Sequence, residues 1–159
     1  MTVLPQTILV ATDNSKQSMI AVDYAVELAK MTGAALHVVH VGWLSPWLYP
    51  VRLSDQQIKT LESEAQKALD EAVDQVKAGG GAVAGAHLRM GRPDGEVITL
   101  AEEIGADLVL VGARGRDSVP RIPLGRDSEN IVKHAPCPVL VVRERVEASM
   151  TAGAIQVDS

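Results

Sequence analysis

The chain has 159 residues, 47% hydrophobic and 22% charged, with a net charge of −5; this composition fits one globular domain and excludes a disordered or collagen-like chain. The acidic balance argues against general nucleic-acid binding, and a single cysteine, Cys137, excludes an internal disulfide and any cysteine-rich metal centre. Aromatic residues are 3% and phenylalanine is absent, so the core must be made of Val, Leu, Ile and Ala, as in parallel strands covered by helices.

The first apolar run, residues 7–11, is rich in β-branched side chains and predicts a strand. Residues 16–31 follow with helical spacing that sets Ile20, Tyr24, Leu28 and Met31 on one stripe, and Gly33 ends the helix. A second strand is expected over 35–41. Residues 54–78 predict a long helix: Ser54 is placed to cap it, apolar residues from Ile58 to Val76 recur at helical spacing, and three glycines, 79–81, stop it. A third strand is expected over 82–88. A helix over 93–104 opens with Pro93 and closes at Gly105. A fourth strand over 107–111, a last helix over 126–134 and a fifth strand over 138–142 complete the series. Strand and helix alternate throughout, which predicts an α/β fold, a parallel sheet with helices on both faces. The domain is assigned to residues 1–143. The weakly patterned tail, 144–159, is expected to be mobile or ordered by a neighbouring subunit. The amino terminus has no basic-then-apolar leader pattern and no apolar run approaches a membrane span, so a cytoplasmic location without membrane contact is expected.

In open sheets of this kind ligands sit beyond the carboxyl ends of the strands, where strand order reverses. That rule selects residues 12–15, 41–42 and 112–128. The third segment is the most informative. The strand runs into Gly112 and Gly115, then a basic loop, and Gly125 opens a helix. Glycines permit sharp turns and close approach of a ligand to the backbone. Unpaired N–H groups and the macrodipole at a helix start favour an anion. Arg114, Arg116, Arg121 and Arg126 add positive charge. Read for structure alone, the segment is an ordinary strand–loop–helix connection with turn glycines.

Asp13 follows the first strand, where a carboxylate suits ribose hydroxyls or a metal beside phosphates; equally, Asp13 or Asn14 caps the next helix. Ser15 and Ser18 read as helix-start or surface residues. His37 and His40, three apart on a strand, point to opposite faces, which argues against a shared metal. No nucleophile paired with a base is legible, so no catalytic residue is assigned, and hydrolysis of a bound nucleotide is expected to be slow at most. Cys137, between two prolines, reads as a buried inert thiol. The linker GWLSPWLYPV, Gly42 to Val51, contains Trp43 to Tyr49 and is unusually apolar for a solvated loop. It reads either as a flap on its own domain or as a lid or a contact for a protein partner.

The string ILVATDNS, the segment GRPDGEVITLAEEIGADLVLVG, the spacing Gly112-x2-Gly115-x9-Gly125 and the strand PCPVLVV, in that order, resemble the universal stress proteins. The resemblance spans about Ile8 to Val142. It implies a doubly wound open five-stranded sheet of order 3-2-1-4-5, adenine-nucleotide alpha-hydrolase-like, and a homodimer formed through the last strand, Pro138 to Val142. In one branch of the family it implies bound ATP, or a related adenine nucleotide, with or without Mg²⁺. Carried over by position, Asp13 and Thr12 meet the ribose side and Val41 the adenine. Gly112, Ala113, Arg114, Gly115, Gly125, Arg126, Asp127 and Ser128 surround the ribose and phosphates. The chain departs from the family pattern at Arg126, where nucleotide binders have Ser or Thr. Arg126 either forks onto a terminal phosphate, fills the phosphate pocket, or pairs with Asp127.

Overall fold

The computed structural model describes residues 4–43, 52–114 and 124–144. Five parallel strands, β1 (Thr7–Thr12), β2 (Ala35–Trp43), β3 (Gly85–Gly91), β4 (Leu108–Gly112) and β5 (Val139–Val142), alternate with four helices, α1 (Lys16–Thr32), α2 (Asp55–Ala78), α3 (Pro93–Ile104) and α4 (Arg126–His134). The spatial order is β3-β2-β1-β4-β5. The chain therefore winds outward from β1 to β3, crosses back, and continues on the other side of β1. The reversal lies between β1 and β4, and their carboxyl ends open the crevice that such topology leaves for a ligand.

The aliphatic composition shows directly in the packing. Ile8, Leu9 and Val10 in the central strand are all wholly buried, because helices cover both faces. Ile8, Val10, Leu36, Val38 and Leu110 face α1 and α2. Leu9, Val39, Val109 and Val111 pack with Val97, Leu100 and Ala101 of α3 and Ile131 of α4. At the opposite end of the sheet Asp107 fastens β4 to β1: its Oδ2 accepts from the N–H groups of Gln6 at 2.7 Å and Thr7 at 2.9 Å.

Helix ends follow local chemistry. Ser54 caps α2 in a capping box with Gln57. Gly33 and Gly105 close α1 and α3 in the left-handed conformation, at φ 76° and 65°.

Two expectations are corrected. The stripe Ile20, Tyr24, Leu28, Met31 is not the buried face of α1: Tyr24 and Met31 are exposed, and α1 lies on the sheet through Ala21, Val22, Ala25 and Val26. These small side chains repeat at helical spacing as well, and they bring the helix axis nearer the sheet than large ones would. The third strand begins at Gly85 rather than 82 and runs on to Gly91. Its extent is set by partners, not propensity, since Arg89, Met90 and Gly91 pair with Val41, Gly42 and Trp43. Among the described residues no helix is long and apolar enough to cross a membrane.

Candidate functional site

At the carboxyl end of β1 the chain turns tightly before α1. Thr12 is buried; its Oγ1 accepts from the Asn14 N–H at 3.2 Å and lies 3.2 Å from Ser18 Oγ. Asp13 Oδ1 accepts from the Ser15 N–H at 2.9 Å, and Asn14 sits in the left-handed region at φ 62°, which short polar side chains tolerate. The cap of α1 is Ser15, whose side chain accepts from the Ser18 N–H. Neither Asp13 nor Asn14 caps the helix, and Ser18 is a buried member of the turn rather than a surface residue. Asp13 is thereby held in one orientation by its own turn, half-buried at the crevice.

On β2, Val41 is half-buried beside Arg89 of β3. The next residue, Gly42, is closely packed: a Cβ there would lie 2.6 Å from Met90 Sδ, at the end of a flexible side chain, and 3.1 Å from the Ala65 Cβ. Trp43 is exposed. The rest of the linker through Tyr49 lies outside the described residues, as do Gly115, Arg116, Arg121 and the tail from 145 onward.

Gly112 ends β4 against the first turn of α1. A Cβ on it would lie 2.9 Å from the Ser18 nitrogen and 3.0 Å from the Gln17 carbonyl carbon. Packing therefore demands glycine here whether or not a ligand binds. Ala113 is fully buried; its N–H donates to Val142 and its carbonyl accepts from the Gly125 N–H at 2.6 Å. That bond draws the start of α4 back to the end of β4. The Arg114 N–H donates to Gln17 Oε1 at 2.9 Å. Gln17, buried in the first turn of α1, thus fixes the path into the glycine loop. Its sequence position carried only a helix-start signal.

Gly125 is the N-cap of α4, extended at φ −67° and ψ 157°, and it supplies no side-chain cap. The first-turn N–H groups are thus left uncapped by their own N-cap residue, the condition under which a helix start takes an anion. Ser128 does not face outward. It is buried and its Oγ donates to the Gly112 carbonyl at 2.6 Å, so its hydroxyl locks α4 to β4. Arg126 is exposed and makes no ion pair with Asp127 among the described residues.

The electrostatics of this helix start depend on a residue that the sequence did not nominate. Asp94, in the first turn of α3, is buried. Its carboxylate accepts from the Gly95 N–H at 2.8 Å, from Asn130 Nδ2 of α4 at 2.9 Å and from Arg92 at 3.1 Å. Burial pushes this carboxyl up, but Gly95, Asn130 and Arg92 together outweigh it and hold it below the ordinary range. Asp127 goes the other way. Burial first, then the negative charges of Asp94 and Asp13, raise it above the ordinary range, against the opposing pull of Arg126 and Arg92. Pro93-Asp94 at a helix start was the only signal for this network.

The structure thus gathers Thr12, Asp13, Gly112, Ala113, Arg114, Gly125, Arg126, Asp127 and Ser128 at the β1–β4 crevice, with Val41 on the neighbouring β2. Among the described residues no group of three or more His, Cys, Asp or Glu is placed to hold a metal ion.

Comparison with known proteins agrees with this frame. The profile of the Universal stress protein family matches residues 5–143. A universal stress protein of Methanocaldococcus jannaschii is 33% identical over 145 residues, 89% of this chain and 84% of its own length. Among solved structures, the hypothetical protein MJ0577 superposes with a TM-score of 0.78 at 24% identity, over 91% of this chain and all of its own. A universal stress protein crystallised in complex with cAMP superposes with a TM-score of 0.66 at 29% identity, over 87% of this chain and 97% of its own.

Proposed function

Because the chain belongs to the universal stress protein family, we propose that it binds an adenine nucleotide in the crevice between β1 and β4 and acts as a nucleotide-responsive regulator. The observation that carries this reading is the start of α4. Gly125 leaves the helix uncapped at the topological switch point, with Asp13 and Val41 flanking the same crevice. The relative solved with cAMP supports an adenine nucleotide as the ligand class. In this reading the N–H groups at the head of α4 take the phosphate. Asp13 accepts from the ribose hydroxyls and the Val41 backbone meets the base. Gly115 and the basic loop lie outside the described residues. In this reading any Mg²⁺ enters with the phosphates, beside Asp13. This reading assigns no catalytic residue, and hydrolysis of the bound nucleotide is expected to be slow at most.

Isothermal titration with ATP, ADP, AMP and cAMP tests the proposal. Micromolar binding of at least one is expected; no heat with any, at concentrations that detect micromolar affinity, overturns it.

A second reading has its own observation. Three carboxylates, Asp13, Asp94 and Asp127, act on the helix start, and Ser128 is turned inward. Both features suit an empty cradle in a dimeric interaction module. Co-purification of a nucleotide with the native protein decides against it. In either reading the homodimer forms through β5, which among the described residues pairs only with β4 and leaves Leu140 exposed. In this reading the exposed Trp43 is a contact for a further protein partner.

A further inference from the structure

His37 and His87 lie on the α3-facing side of the sheet, away from the crevice residues. The register pairs His37 with Gly85 and Val39 with His87. His37 therefore stands opposite a residue without a side chain and leans across it to meet the histidine two places further along β3. His37 Nδ1 and His87 Nε2 are 3.0 Å apart. The ring centres are 5.2 Å apart and the ring planes differ by 18°. The difference between the two distances is taken up by the radii of the rings, so both nitrogens lie near the line of centres. The rings meet edge to edge, in line, as an N–H donor and a lone-pair acceptor. Gly85 is the floor of this contact: a Cβ there would lie 2.6 Å from His37 Nδ1 and 2.9 Å from His87 Nε2.

We propose that His37 and His87 form an acid-sensitive clasp that fastens edge strand β3 to β2, holding with one added proton and opening with two. The proton balance follows from the geometry. In the neutral pair one imidazole donates its bridging N–H and the other accepts. A first added proton goes to the outer nitrogen of the donor ring, and the bridge survives with a charged donor. A second has only the accepting nitrogen to occupy. That would set two N–H groups head to head across 3.0 Å and place two positive charges together, so the rings must part.

The surroundings oppose the second proton. From β3, Arg89 faces His87 with a further positive charge; from α3, Glu103 faces it with an opposing charge but is already engaged by Arg89. Glu96, also on α3, pairs with the same arginine. From β1, the register neighbour of His37 is the apolar Leu9. Burial lowers both imidazoles below the ordinary 6.5. Protons therefore bind the unfolded chain more readily than the folded one. The stabilisation is complete above pH 6.5 and is lost as the pH falls below it. Because β3 leads directly into Arg92 and Asp94, an opened clasp frees the strand that positions the Asp94–Asn130 tie at the head of α4.

The test uses the full chain. Ring-proton NMR titration is expected to show two coupled steps, the second displaced well below the first. Hydrogen exchange in β3 is expected to lose about tenfold in protection between about pH 7.5 and about pH 5, with β1 unchanged. His87→Gln, which cannot charge, is expected to remove that pH dependence, and Gly85→Ala to separate the two imidazole titrations. Two independent titrations with ordinary midpoints, or β3 protection that follows β1 at both pH values, would overturn the proposal. Wild-type titration and exchange decide it even if a variant fails to fold.

Discussion

Asp127 carries most of the interest at the scale of single residues. It occupies the second position of α4, where a carboxylate favours the helix itself but competes with an incoming phosphate. Replacing it with asparagine keeps the shape and removes the charge. Asp127→Asn is expected to tighten binding of the phosphorylated ligands severalfold, about 1 kcal/mol on the scale of a helix-end charge, while adenosine is unaffected. Titration calorimetry on the two proteins checks this. Asp94 is the opposite case, a buried carboxylate whose three partners would be left unsatisfied by its loss. Asp94→Ala is expected to destabilise the fold by about 1–3 kcal/mol, read by urea unfolding. Because its carboxyl is held low, that contribution is present above the ordinary value of 3.8 and fades as the pH falls through and below it. The wild-type and mutant curves should therefore converge in acid.

Elements show where sequence reading succeeded and where it did not. Helices α3 and α4 were legible to the residue, since Pro93, Gly105, Gly125 and Pro136 are local punctuation. Ser54 was legible as the cap of α2 in the same way, and the structure adds Gln57 to complete a capping box. Ser54→Ala is expected to lower the melting temperature by removing about 1 kcal/mol of capping, a shift that differential scanning calorimetry resolves. The limits of β3 were not legible, because Gly85 at its start and Arg89 and Met90 at its end are recruited by β2 rather than by their own propensity. The buried face of α1 was missed for a related reason. Large apolar residues drew attention to Tyr24 and Met31, whereas close helix–sheet contact selects Ala21 and Ala25. Within the site, Asp13, Gly112 and Gly125 could be read from their positions after strands and before helices. Gln17, Asp94 and the inward turn of Ser128 could not, since each acts across a distance in sequence, from Gln17 to Arg114 and from Asp94 to Asn130.

For the whole molecule, the doubly wound sheet has β3 and β5 as its two edge strands among the described residues. The two differ in chemistry. Beside β3 lie the histidine clasp and the Arg89–Glu103 pair, while β5 is four residues long and offers Leu140 to solvent. An apolar edge of this kind is a template for a second chain. Leu140→Lys is therefore expected to halve the mass measured by light scattering while the circular dichroism of the fold persists; unchanged mass would remove β5 as the interface.

Gly112 bears on how chains of this family are sorted by their sequences. Its lack of a side chain is enforced by the nearness of Ser18 and Gln17, contacts wholly internal to the protein. A descendant that had abandoned its ligand would still suffer a clash on acquiring a Cβ there. The first glycine of the motif is thus a marker of ancestry, blind to occupancy. The informative letters are those that architecture leaves at liberty, and in this chain they stand at Arg126 and Asp127.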